Sequence, residues 1–196
     1  LTNGWASLEG LLLGPGERQG VLAADRMANI VTADWPRCEF TWLANAPFVE
    51  ADTHYGLHEI LRGGRVQAKA LALESALRNG LPVSYDRPRD IAALHRLEAL
   101  VADPGGTLGQ VRKGIVAALR RLYVQRNLVM HAGSFRSVAR ATTLRTVPTL
   151  AAAGMDRLVN AADLGIRPLM LAARAQVELE LLSSGGIGRA LCALLD

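Results

Sequence analysis

Arg126, Asn127 and His131 stand within six residues of one another in a chain that holds only four histidines. Their types suit phosphate chemistry without a metal. Imidazole titrates near neutral pH, so His131 can exchange protons at a reacting centre. A guanidinium offers a planar fork that matches phosphate oxygens, so Arg126 can hold charge that gathers on them. Asn127 does not titrate; its part would be to hold the phosphate or to fix the imidazole. Attack of an RNA 2′-hydroxyl on its own phosphorus needs such a set, because no metal-bound water takes part. Asn127 and His131 are four apart and share one helix face, with Tyr123 a turn earlier. Arg126 is one position around, near enough for its side chain to curl to the same spot. The plainer alternative is a helix end whose His caps carbonyls and whose Arg is solvated.

The element that must position these groups is one long amphipathic helix. Thr107 can cap its start, and Leu108, Val111, Ile115, Leu119, Leu122 and Val129 follow at helical spacing. Gly133 sits where a helix commonly stops. Charge is concentrated here. Residues 1–103 carry ten basic and thirteen acidic groups, residues 104–155 eight basic and none acidic, residues 156–196 four and five. The whole basic surplus therefore surrounds the motif, as a polyanion-binding surface requires. A solvated basic face usually has acids interspersed.

Arg126-Asn127, three further residues and His131 resemble the R-N-x-x-x-H signature of HEPN ribonuclease domains. The apolar helix running in, Tyr123 upstream and the His131-Ala132-Gly133 exit are similar too. Trp5-Ala6-Ser7-Leu8-Glu9 resembles the aromatic-x-x-Leu-Glu helix that opens the Apea-like branch. The two matches frame about residues 5–165. The resemblance implies an antiparallel helical bundle over residues 1–165, a homodimer joined along the motif helices, and a metal-independent endoribonuclease. Its substrate would be single-stranded or looped RNA, and its products 2′,3′-cyclic phosphate and 5′-hydroxyl ends. Arg126, Asn127 and His131 would be catalytic; Tyr123, Arg120, Arg121, Arg136 and Arg140 would bind RNA. Glu9 would orient Arg126 or His131, or be an exposed helix acid; Tyr123 would line the cleft or be a core residue. No cofactor or metal is implied. Relatives act as toxins or in defence against phage, so a bacterial, cytoplasmic role with an antitoxin or regulatory partner is expected. The rival expectation is a catalytically silent HEPN module that binds RNA or protein, or a regulatory domain of a larger protein. Two stretches depart from a minimal bundle: an insertion at about 34–89 and an extension, 166–196, packed on the same core.

The remaining chain predicts helices throughout. Half of its 196 residues are apolar but only 5% aromatic, so Leu, Ala and Val must build the core, and strand signals are almost absent. The fold class is all-α. Helices are predicted over 5–13, 17–31, 50–61, 66–78, 90–101, 143–162, 169–182 and 187–195. Asp34-Trp35-Pro36 and Asp103-Pro104-Gly105-Gly106 read as breaks, and Pro148 must start or kink its helix. His54 and His58, with Asp52 and Glu59 nearby, have a spacing able to hold a metal on one face, but no further ligands complete a site. His95 stands alone. Gly63-Gly64-Arg65 and Gly105-Gly106-Thr107 lack the context of a phosphate loop and read as turns. Cys38 and Cys192 do not form a disulfide framework, which fits a reducing cytoplasm. No apolar run is long enough to span a membrane, and no signal peptide is expected.

Overall fold

Leucine and alanine at helical spacing produce helices alone. The computed structural model describes residues 2–132, 139–186 and 189–196, with side chains at 5–128, 148–186 and 189–196. Among these residues there is no strand. The α-helices are α1 (Thr2–Leu12), α2 (Gly20–Ala44), α3 (Tyr55–Gly63), α4 (Val66–Arg78), α5 (Pro88–Ala102), α6 (Pro104–Ala132), α7 (Ala139–Asp163) and α8 (Pro168–Ser183). Two 3-10 turns, Glu50–Asp52 and Leu191–Ala193, complete the regular structure. The chain is all-α, as its composition predicts, and no helix among the described residues is long and apolar enough to cross a membrane.

Contacts divide the chain into two units. The first comprises residues 1–33, 109–179 and 195; the second comprises 34–108, 180–194 and 196. The second thus begins where the stretch 34–89 was set apart in the sequence, and continues through α5. The segment 166–196 is shared between the units rather than forming a block of its own. The first unit buries Trp5, Leu8 and Leu12 of α1, Met27 and Ile30 of α2, Leu119 and Leu122 of α6, Leu158 of α7 and Leu171 of α8. In the second unit α3 packs on α4, and α4 on both α5 and the Leu191–Ala193 turn. Its core is Phe40, Leu43, Leu73, Leu97, Leu100 and Leu191.

Several local expectations are corrected. Helix α2 does not break at Asp34-Trp35-Pro36 but runs on to Ala44 with Pro36 inside. Pro36 removes the hydrogen bond to Thr32 O, a loss of about 3 kcal/mol in a free helix. Ile30, Ala33, Phe40 and Leu43 are all buried around it, and each large side chain contributes about 1.5–3 kcal/mol. Burial wins. The start of α2 is also later than Glu17, because the Glu17 carboxylate accepts from Gly14 N (2.6 Å) and from Arg26 Nη1 and Nη2 (2.5 and 2.9 Å). That clamp holds a turn between α1 and α2.

The predicted helix 50–61 is split. Val49 N donates to Ser84 O (2.8 Å) and His54 N to Pro82 O (3.0 Å), which pins both ends of the stretch and leaves only the 3-10 turn Glu50–Asp52 between them. His54 becomes the N-cap residue of α3, outside the helix that carries His58. Third, α5 and α6 are separated by Asp103 alone, and Thr107 is not the cap of α6. Asp103 caps it, with Oδ1 accepting from Gly106 N at 2.9 Å and Pro104 at the first helical position, whose missing N–H costs nothing there. The Thr107 hydroxyl instead donates to Ala99 O at 3.2 Å. Finally, the segment predicted as a helix at 187–195 contains only the 3-10 turn, with residues 187 and 188 outside those described.

That turn is held by a buried acid. Glu74, 2% exposed, accepts from Leu191 N (2.7 Å) and Cys192 N (2.9 Å), and pairs with Arg78 Nε at 2.9 Å. Helix α7 begins at Ala139 rather than Thr143, so Pro148 lies inside it and not at its start. Gly165, at φ 74°, ends the α7 exit, a backbone conformation that glycine adopts without a Cβ penalty.

Candidate functional site

The site is built on α6 and closed by α1 and the start of α2. Arg126 Nη1 donates to Asn127 Oδ1 at 3.0 Å, so the two neighbours act as one polar unit. Arg126 Nη2 lies 3.8 Å from Glu9 Oε2 in an ion pair, each side chain 23% exposed. Glu9 is steadied from its other oxygen, which accepts the indole N–H of Trp5 at 2.8 Å, one turn back along α1. The ring of Trp5 in turn lies against Tyr123, centroids 5.6 Å apart and planes tilted by 40°.

Gly20 lets the start of α2 approach this cluster. A Cβ at that position would overlap Glu9 Oε1 and come within 2.5 Å of Tyr123 Cε2. One donor of the cluster is uncommitted: Arg126 Nε is buried and makes no hydrogen bond among the described residues. A buried N–H without a partner costs about 1–3 kcal/mol, and an oxyanion is its best acceptor.

His131 lies in α6 four residues beyond Asn127, and its side chain falls outside the described residues. So do those of Arg140 and Arg145, and Arg136 entirely. Among the described cations, Arg120 makes a bidentate pair with Asp25, Nε to Oδ1 at 2.9 Å and Nη2 to Oδ2 at 2.7 Å. The Asp25 carboxylate raises the guanidinium's pKa further. Arg112 Nε donates to Asn29 Oδ1 at 2.6 Å. Arg121 is exposed and makes no ion pair among the described residues. The acids missing between 104 and 155 therefore arrive from elsewhere: Glu9 from α1 and Asp25 from α2 offset part of the basic surplus.

No family model, curated protein or solved structure matches the chain. A paired Arg–Asn unit with one uncommitted, buried N–H has the donors an oxyanion needs, and the Glu9 carboxylate lies 3.8 Å from the guanidinium. Tyr123 does not stand free; it packs on Trp5 with part of its surface exposed. Residues missed by the sequence reading are Trp5 as a donor, Gly20, Asp25 and Asn29. The i,i+4 spacing of Trp5 and Glu9 is a local signal for the first. The others have none, because Asp25 and Arg120 are 95 residues apart.

The histidine pair is differently used. His58 Nε2 lies 3.6 Å from Glu50 Oε1, and its ring is edge-on to Phe48 at 5.5 Å. No group of three His, Cys, Asp or Glu side chains is gathered for a metal among the described residues. His95 is exposed on α5.

Proposed function

We propose that the chain is a metal-independent endoribonuclease of the HEPN kind, acting on single-stranded or looped RNA. The observation that carries this reading is the Glu9–Arg126–Asn127 cluster with its uncommitted Arg126 Nε–H. In this reaction the 2′-oxygen forms a bond to phosphorus and the P–O5′ bond breaks. The imidazole of His131 takes the 2′-hydroxyl proton. In a homodimer joined along α6, a second copy of His131 returns a proton to the departing 5′-oxygen. Arg126 stabilises the equatorial oxygens of the phosphorane, and Asn127 holds the guanidinium in place. The products are a 2′,3′-cyclic phosphate and a 5′-hydroxyl. A bacterial toxin or anti-phage role in the cytoplasm, restrained by an antitoxin or regulatory partner, belongs to the same proposal.

The second reading is a catalytically silent module of this kind that binds RNA or a partner protein. Its protein-binding form is favoured by the bidentate pairing of Arg120 with Asp25, which takes one expected RNA-binding cation out of use. One experiment separates them. Purified protein is incubated with mixed RNA in EDTA beside folded His131→Ala and Arg126→Ala variants. The nuclease reading expects cyclic-phosphate ends from the parent and about a hundredfold slower cleavage by either variant. Equal cleavage by all three overturns it, and cleavage by none supports the silent module.

A further inference from the structure

A groove of about 540 Å³ opens on the second unit, lined by Trp42, Asn45, Pro47, Val66, Arg87 and Arg89 among others. Trp42, near the C-terminal end of α2, leaves 41% of its surface exposed, and Val66 leaves 54%. The Arg89 guanidinium carbon stands 5.5 Å from the centre of the Trp42 ring, so ring and cation form one platform. Arg89 Nε also lies 3.3 Å from Oδ1 of the fully buried Asp90, an ion pair without a hydrogen bond. Arg87 differs. Its guanidinium is exposed and has no ion pair or hydrogen bond among the described residues. Asn45 closes the end of α2 by donating to Thr41 O at 2.8 Å and so keeps its carboxamide at the rim.

From this arrangement we infer that the groove binds a nucleobase that carries a phosphate. Trp42 keeps 41% of its surface exposed although the Arg89 guanidinium stands over its ring, and a planar base of any kind can stack on the exposed indole or on the guanidinium plane. Arg87 supplies the cation for the phosphate, with a fork that matches two of its oxygens. Asp90 is paired with Arg89 rather than with Arg87, so it offsets the cation over the ring and leaves the second one to the phosphate. The groove lies apart in the chain from the α6 motif, so the inference does not depend on the nuclease reading.

The test is fluorescence anisotropy of a labelled 2′-O-methyl oligoadenylate on the full chain, with adenosine monophosphate and inorganic phosphate as competitors. The oligomer lacks the nucleophilic 2′-hydroxyl, so failure of the cleavage chemistry cannot affect the result. Binding is expected, competed by the nucleotide but not by equal phosphate, and weakened about tenfold in both Trp42→Leu and Arg87→Gln. Arg87 is on the surface, so its variant keeps the fold if the Trp42 one does not. Competition by mononucleotide at concentrations near those of the oligomer identifies free nucleotide as the source; much weaker competition identifies a strand. No binding by the parent, unchanged binding by Arg87→Gln, or competition by phosphate as strong as by nucleotide overturns the inference.

Discussion

Trp5 donates its indole N–H to Glu9 at 2.8 Å, and this bond decides which oxygen of Glu9 remains for Arg126. With Oε1 engaged, Oε2 faces the guanidinium at 3.8 Å. The tryptophan is 1% exposed, so its donor is fixed by core packing rather than by a mobile surface chain. A carboxylate held in this way can direct an arginine without closing on it.

Glu9→Gln keeps an oxygen for the Trp5 N–H and removes the charge that faces Arg126. The ion pair is partly exposed and long, so its loss changes stability by no more than about 1 kcal/mol. Under the proposed chemistry, RNA cleavage falls about tenfold through kcat, as a misdirected guanidinium misses the phosphorane. Steady-state kinetics with a defined oligonucleotide check this; an unchanged or higher kcat removes the orienting role of Glu9.

Gly20→Ala places a methyl group on Glu9 and Tyr123. Overpacking of this kind costs about 1–3 kcal/mol. Urea denaturation should show the loss, and the near-ultraviolet signal of the Trp5–Tyr123 pair should change with it. Parent-like stability would mean that the start of α2 moves aside freely.

The clamp between α1 and α2 makes acid stability depend on Glu17. Hydrogen bonds from Arg26 and Gly14 N hold its carboxyl down at about 2, from an ordinary value of 4.5. Because the folded value is the lower one, the contribution is fully present above about 4.5 and is lost as pH falls toward 2. Melting temperature followed over that window should fall less steeply in Glu17→Gln than in the parent. Parallel curves would place the acid sensitivity elsewhere.

Glu74→Ala should destabilise the second unit through its Leu191–Ala193 turn. It leaves the Leu191 and Cys192 N–H groups buried without an acceptor, at a cost of about 3 kcal/mol. Hydrogen exchange at those two amides would accelerate by the same free energy, while amides of α1 would be unaffected by local opening. The Cys192 thiol, pushed up to about 12 first by burial and then by Glu74, would meet a thiol reagent faster than in the parent only through opening of the turn. Retained protection at both amides would show that the turn is held by packing alone.

What was legible in the sequence is what lies within one or two helical turns. Helix α4 begins and ends at Val66 and Arg78 as its spacing predicts. The shared face of Asn127 and His131 follows from the helical repeat, and the adjacency of Arg126 and Asn127 from the chain itself. Where local rules failed, tertiary burial or a distant partner had overruled them. Proline ends an isolated helix, but Pro36 sits in a stretch of α2 whose neighbours on both sides are buried.

The sequence by itself determined the helical class, because apolar residues three and four apart leave a chain of this composition one economical way to bury them. It also determined that Arg126, Asn127 and His131 would fall on one helix. Only the tertiary structure decided the state of those charges. Glu9 and Asp25 reach Arg126 and Arg120 from helices about a hundred residues away, and no local spacing encodes which helix faces will meet. Periodicity is a property of the strand of residues; electrostatic partnership is a property of the packed core that brings its helices together.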